Sequence, residues 1–210
     1  MLEPFTASQR LPRYMTQPEV RAFFRVIFPL RDRALFALVY LYGLRVSELT
    51  LLKRADIDLD RRRIVVKRVK NGLWAERPLF SGTAHLLRLH LNASSVDATS
   101  PLFPGRRGPL GKRQVQGLFV HYRARAGLSS RYTAHCLRHS IATHLLDAGA
   151  SLEFVQDHLG HRSIRSTSIY ARITDRHRVA LFKKLEASPW IVQPDRSRSR
   201  NGNRASAKEG

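Results

Sequence analysis

The stretch "ALFALVYLY" at 34–42 is apolar at every position, and it restricts the fold more than any other segment. A helix built from it presents hydrocarbon on all faces, so it must be surrounded, not laid against a surface. Its length is far short of the roughly 20 residues needed to span a bilayer. The sequence predicts a buried central helix over 33–42, stopped at Gly43. The remaining segments have to supply its wrapping, and 210 residues are enough for one such core.

Those segments are legible in turn. "TQPE" at 16–19 has the pattern of a capping box opening a helix through "VRAFFRVI". "RVSELTLL" at 45–52 begins another helix. "RRIVVKRVKNGLWAERPLF" is rich in β-branched residues around Asn71-Gly72, a strong hairpin signal. Two antiparallel strands are expected there, at 63–69 and 74–79.

Residues 92–113, with "NASS" and "PGRRGPLGK", read mostly as loop. Leu137, Ile141 and Leu145 then recur at helical spacing until Gly149. Ser151 caps a helix carrying Leu152, Val155 and Leu159 up to Gly160. Ser163 can cap a third short helix containing Tyr170. A last amphipathic helix, with Val179, Phe182 and Leu185, stops at Pro189. No internal repeat is present. The expected class is α+β, mostly helical, with a small antiparallel sheet.

Charge narrows the partner. Lys and Arg number 37 against 16 acidic residues, a net +21 with a pI near 11.4. Residues 195–210 account for only +3 of it, so the folded body is itself basic. Such a surface favours a polyanion, with nucleic acid first and a membrane surface second. The lone Cys136 excludes an internal disulfide and suits a reducing compartment, and the start "MLEPFTASQR" lacks signal-peptide order. The expectation is a soluble, cytoplasmic, nucleoid-associated protein.

Six polar residues stand at punctuated positions: Arg45, Lys70, His135, Arg138, His161 and Tyr170. Arginine forks hold phosphate oxygens bidentately and stay charged. Lysine or histidine can move a proton, and a phenol can act as nucleophile. His135 and Arg138 sit three apart at a helix start, where backbone amides also favour an anion. His161 lies just past Leu159-Gly160, and nine residues separate it from Tyr170. Together the set suits the stabilisation of a phosphate during phosphoryl transfer.

"GLRVSEL" at 43–49, "HCLRHSIATHLL" at 135–146 and "LGHRSIRSTSIYAR" at 159–172 resemble the tyrosine recombinase (phage integrase) family, in the family's own order. The resemblance covers roughly 12–187 and maps that family's catalytic positions onto Arg45, His135, Arg138, His161 and Tyr170. Its hairpin lysine falls on Lys70, counting from Ile64 and back from Pro78-Leu79, with Lys67 the lesser candidate because "VKNG" replaces the family's usual Gly-Lys-Gly turn.

The resemblance implies a catalytic domain over 12–190, an N-terminal arm at 1–11, and a basic disordered tail at 191–210. It implies DNA cleavage through a 3′-phosphotyrosyl link without ATP, cofactor or metal. It also implies tetramers on two DNA sites, with DNA-bending accessory proteins as optional partners. The shortness before residue 12 is similar to the single-domain recombinases of fimbrial switches, or to an excised catalytic domain.

Plainer roles compete at each position. Arg45 can simply pair with Glu48 one turn on, and Tyr170 can be a helix aromatic. Lys70 can be a solvated turn charge, and His139 and His144 core histidines. Trp74 and Trp190 read as packing residues. Type IB topoisomerase chemistry, and a non-catalytic DNA-binding protein on the same fold, are the alternative functions.

Overall fold

In the computed structural model the apolar run forms α2 (Leu30–Leu41), with every residue from Ala34 to Val39 buried. The structure describes residues 12–68, 74–93, 97–105, 108–160 and 167. Ahead of α2 lies α1 (Gln17–Arg25), opened by the Thr16–Glu19 capping box. Arg33 closes α1 by donating to the carbonyls of Phe24 (2.9 Å) and Ile27 (3.1 Å), the groups a helix end leaves without partners. α2 starts three residues before the expected 33, because its first turn after Leu30 is charged (Arg31, Asp32, Arg33) and interrupts the apolar run.

Gly43 ends α2 with φ +55, and α3 (Val46–Leu49) follows. A three-stranded antiparallel sheet runs β1 (Ile57–Asp58), β2 (Arg63–Lys67) and β3 (Trp74–Pro78), in that spatial order. Lys67 faces Trp74 across the β2–β3 pair, and Arg63 faces Pro78. The strands end one or two residues short of the expected limits. The hairpin tip, with Asn71-Gly72, lies outside the described residues.

α4 (Ser81–Asn92) and α5 (Lys112–Arg125) complete the wrapping of α2. The expected loop between them holds a two-strand ribbon, β4 (Pro104–Gly105) with β5 (Gly108–Pro109). α6 (Ala134–Asp147) and α7 (Leu152–Leu159) match the periodic runs read from the sequence. The expected helices beyond Gly160, around Tyr170 and Val179–Phe182–Leu185, lie outside the described residues, as does Trp190. Among the described residues no helix is long and apolar enough to cross a membrane. The class is α+β, mostly helical, with small antiparallel sheets.

Candidate active site

The turn after α2 builds the site. Gly43 adopts the left-handed conformation that side chains resist, and a Cβ there would lie 2.5 Å from Leu159 Cδ2. That close approach brings the end of α7 against the start of α3. Arg45 and Glu48 then lie three apart on one face, and Glu48 is 1% exposed.

Its carboxylate accepts from the Arg45 backbone amide (2.8 Å), Arg45 Nη1 (2.7 Å) and Arg68 Nη1 (2.9 Å). Arg138 Nη1 stands 3.9 Å away. Burial works to raise the Glu48 pKa. The hydrogen bonds from Arg45 and the charges of Arg68 and Arg138 outweigh it, holding the carboxyl below its ordinary range.

Two of these arginines, with Arg77 of β3, grip α7. Arg77 donates to the Asp157 carbonyl at 2.9 Å and to its carboxylate at 2.6 Å. Arg68 Nη2 donates to the His158 carbonyl at 2.6 Å, and Arg138 Nη2 to that of Leu159 at 2.8 Å. Arg138 also donates to Gly43 O. Three successive carbonyls at the negative end of a helix dipole thus each meet a guanidinium. Gly160 closes the helix with φ +63, and a Cβ there would lie 2.8 Å from Arg68 Nε.

His135 sits in the first turn of α6 with its side chain open to solvent. Its ring meets His139 edge-on at 4.4 Å. Loss of water on its inner side, then the charges of Arg138 and Arg45, hold its pKa below the ordinary histidine value. At neutral pH it is therefore an acceptor, able to take a proton. The Arg45 side chain is 23% exposed while those of Arg68 and Arg138 are almost wholly enclosed. Among the described residues, the cluster is open to solvent on its Arg45–His135 side.

Three of the six residues singled out in the sequence, Arg45, His135 and Arg138, are thereby neighbours. Lys70, His161 and Tyr170 lie outside the described residues. Lys67 is occupied elsewhere: its ammonium pairs with Asp56 at 2.7 Å and lies 4.8 Å from the centre of the Trp74 ring. Trp74 is 71% exposed, so the packing role expected for it is corrected to a surface contact with Lys67. That side chain points away from the core because β3 alternates.

His144 is buried, with Nδ1 2.8 Å from Tyr40 Oη. Among the described residues, no group of three His, Cys, Asp or Glu side chains is placed to hold a metal ion. Arg68 and Arg77 escaped the sequence reading. The available signal was parity: Arg68 follows Ile64 and Val66 on the buried face of a strand, where an arginine requires acceptors.

The phage integrase family model matches residues 13–177, and the chain belongs to that family. The tyrosine recombinase XerA of Thermococcus kodakarensis is 38% identical over 181 residues, covering 84% of this chain and 64% of the relative. The chain therefore spans a little under two thirds of that relative's length. A crystal structure of XerA recombinase superposes with a TM-score of 0.73 at 24% identity, over 88% of this chain and 67% of the other. The XerH site-specific recombinase, in a pre-cleavage complex with its difH substrate, gives 0.69 at 25% identity, over 84% and 55%. The fold is that of a tyrosine recombinase catalytic domain.

Proposed function

We propose that the chain is the catalytic domain of a site-specific DNA recombinase, spanning 12–190 between an arm at 1–11 and a basic tail at 191–210. One observation carries this: three guanidinium groups converge on the buried carboxylate of Glu48. The cluster keeps an excess of positive charge beside a solvent-open histidine. A phosphodiester gains negative charge as it passes to its transition state, and preorganised cations aimed there stabilise that state. The family relatives named as tyrosine recombinases, and the difH substrate in the XerH complex, support the same reading.

In this reading Tyr170 Oη attacks the scissile phosphorus, the bond from phosphorus to the 5′-oxygen breaks, and a 3′-phosphotyrosyl link forms. Only about 0.1% of a free phenol is ionised at pH 7, so its proton must be taken as it attacks. His135, held neutral, takes or directs that proton. Arg45 and Arg138 hold the nonbridging oxygens, with a further hydrogen bond from His161.

Lys70 gives a proton to the departing 5′-oxygen. The engagement of Lys67 with Asp56 favours Lys70 for that role. The freed 5′-hydroxyl of a partner strand then reverses the step, so the bond energy is conserved and no ATP, metal or cofactor enters. Inversion, integration and excision share this chemistry. Exchange between two duplexes uses four protomers on two DNA sites, in the nucleoid, with DNA-bending accessory proteins as optional partners.

The test uses a nicked duplex whose binding site is selected from a randomised pool by the full chain. Wild type should trap a covalent protein–DNA adduct, and Tyr170→Phe should bind the duplex equally but form none. Adduct from the Phe variant at the wild-type level overturns the assignment.

A further inference from the structure

Arg68 touches neither of the residues assigned to the phosphate oxygens by a hydrogen bond, and nothing in the proposed chemistry calls for it. Its surroundings are nevertheless specific. The guanidinium side chain is 4% exposed. It donates to Glu48 of α3, to the carbonyl of Tyr42 at the end of α2 (3.3 Å), and to that of His158 in the last turn of α7. Three acceptors from three elements meet in one plane-forming fork, which a lysine ammonium on a flexible stem does not reproduce. The strand's alternation would place an apolar residue here after Ile64 and Val66. Burying a charge instead costs stability unless it is paired and its donors are met; here Nη1 and Nη2 are met while Nε has no partner among the described residues.

Its location gives that cost a use. Lys70 is two residues further along the chain. His161 follows Gly160, whose missing Cβ leaves room for the Arg68 side chain. Arg77, on the partner strand, adds a second tie between hairpin and α7 at Asp157. One buried guanidinium therefore joins the base of the hairpin to the carboxylate that holds Arg45 and to the helix end that precedes His161.

We propose that Arg68 is a positioning residue that fixes the hairpin base, from which Lys70 follows two residues on in the chain, against the Glu48 cluster and the end of α7. The inference rests on the recombinase reading for its chemical consequence, but its structural half does not. Removing Arg68 leaves Glu48 still paired with Arg45 and Arg138, so the arginine cluster survives while the hairpin loses its anchor. A leaving-group acid displaced by about 1 Å costs on the order of 100-fold in rate.

The experiment compares Arg68→Met and the charge-conserving Arg68→Lys with wild type, the latter guarding against loss of fold. Two nicked duplexes are used, one ordinary and one with sulfur replacing the 5′-bridging oxygen at the scissile phosphate. Sulfur departs without a proton. Arg68→Met should cleave the ordinary duplex about 10- to 100-fold more slowly, and most of that loss should vanish on the sulfur duplex. Arg68→Lys should fall between Arg68→Met and wild type on the ordinary duplex.

An equal loss on both duplexes, or no loss, overturns the proposal. Without DNA, hydrogen exchange should quicken in Arg68→Met at 64–68, 74–78 and 157–160 while α1 stays protected. Unchanged exchange at 157–160 overturns it as well. If wild type forms no adduct with either duplex, the recombinase reading is what fails, and the exchange measurement still decides whether Arg68 joins the two elements.

Discussion

Around Phe23 the rings of Phe119, Phe36 and Tyr122 lie 5.1, 5.2 and 6.4 Å away, centre to centre. Around Glu48 the neighbours are three guanidinium groups. Both residues are buried, yet they stabilise by unlike means. The aromatic region, formed where α1, α2 and α5 meet, removes large apolar areas from water, and edge-to-face contacts add to that. Beneath α6 and α7 the apolar cluster is small: Ile141, Ala142, Leu146, Val155 and Leu159. There the ends of elements are joined through arginines bonded to carbonyls. Aromatic packing tolerates anything of similar volume, whereas the arginine lattice fixes directions. The site proposed to hold a phosphate lies in the second region and stands on the first.

The sharpest way to break this contrast is Glu48→Gln. It keeps the shape but leaves buried guanidinium groups without their carboxylate, and destabilisation of about 4 kcal/mol is expected. Added phosphate should raise the melting temperature of this variant more than that of wild type, because an anion replaces the lost charge. A thermal melt with and without phosphate reads both, and equal phosphate responses would remove the distinction between the regions.

Phe119→Ala should cost about 3 kcal/mol through lost burial and a cavity, measured by urea denaturation. Adduct formation per folded molecule should remain that of wild type. A matching loss of cleavage would show that the aromatic region takes part in the site.

The smallest effect concerns pH. Burial, then the charges of Arg68, Arg77 and Arg138, outweigh a favourable bond at Leu41 and hold the His158 pKa at about 4, against an ordinary value of 6.5. The unfolded chain therefore binds the proton first as pH falls. Stability should be full above pH 6.5 and decline towards about pH 4. His158→Gln should flatten that decline in melts run across the range, and an unaltered slope would remove His158 as its source.

Much of this could be read beforehand where the cause is local. The Thr16–Glu19 capping box, the left-handed glycines at 43 and 160 and the Ser151 cap each depend on a few adjacent residues. α4 was not legible: "SGTAHLLRLHLN" carries no cap bond and sets a histidine in its buried face, where His90 Nε2 donates to Leu102 O at 3.0 Å. The β4–β5 ribbon pairs only two residues a side, too few for a periodic pattern. Counting favoured Lys70 over Lys67, but it could not show that Lys67 is engaged, because its partner Asp56 lies eleven residues back on another element.

The sequence by itself determined that an all-apolar helix would be enclosed and that the body would be basic, and it put Arg45, His135 and Arg138 forward as one cluster. Periodicity, capping and charge are properties of neighbours along the chain, so they survive without coordinates. Only the tertiary structure decided that Arg68 and Arg77 join the hairpin to α7, and that one carboxylate serves three arginines. Those facts depend on which carbonyls a helix end leaves unpaired and on which elements the glycine at 43 lets approach. A guanidinium finds such partners in space, at separations of 20 residues to Glu48 and 90 to His158, and no pattern along the chain records them.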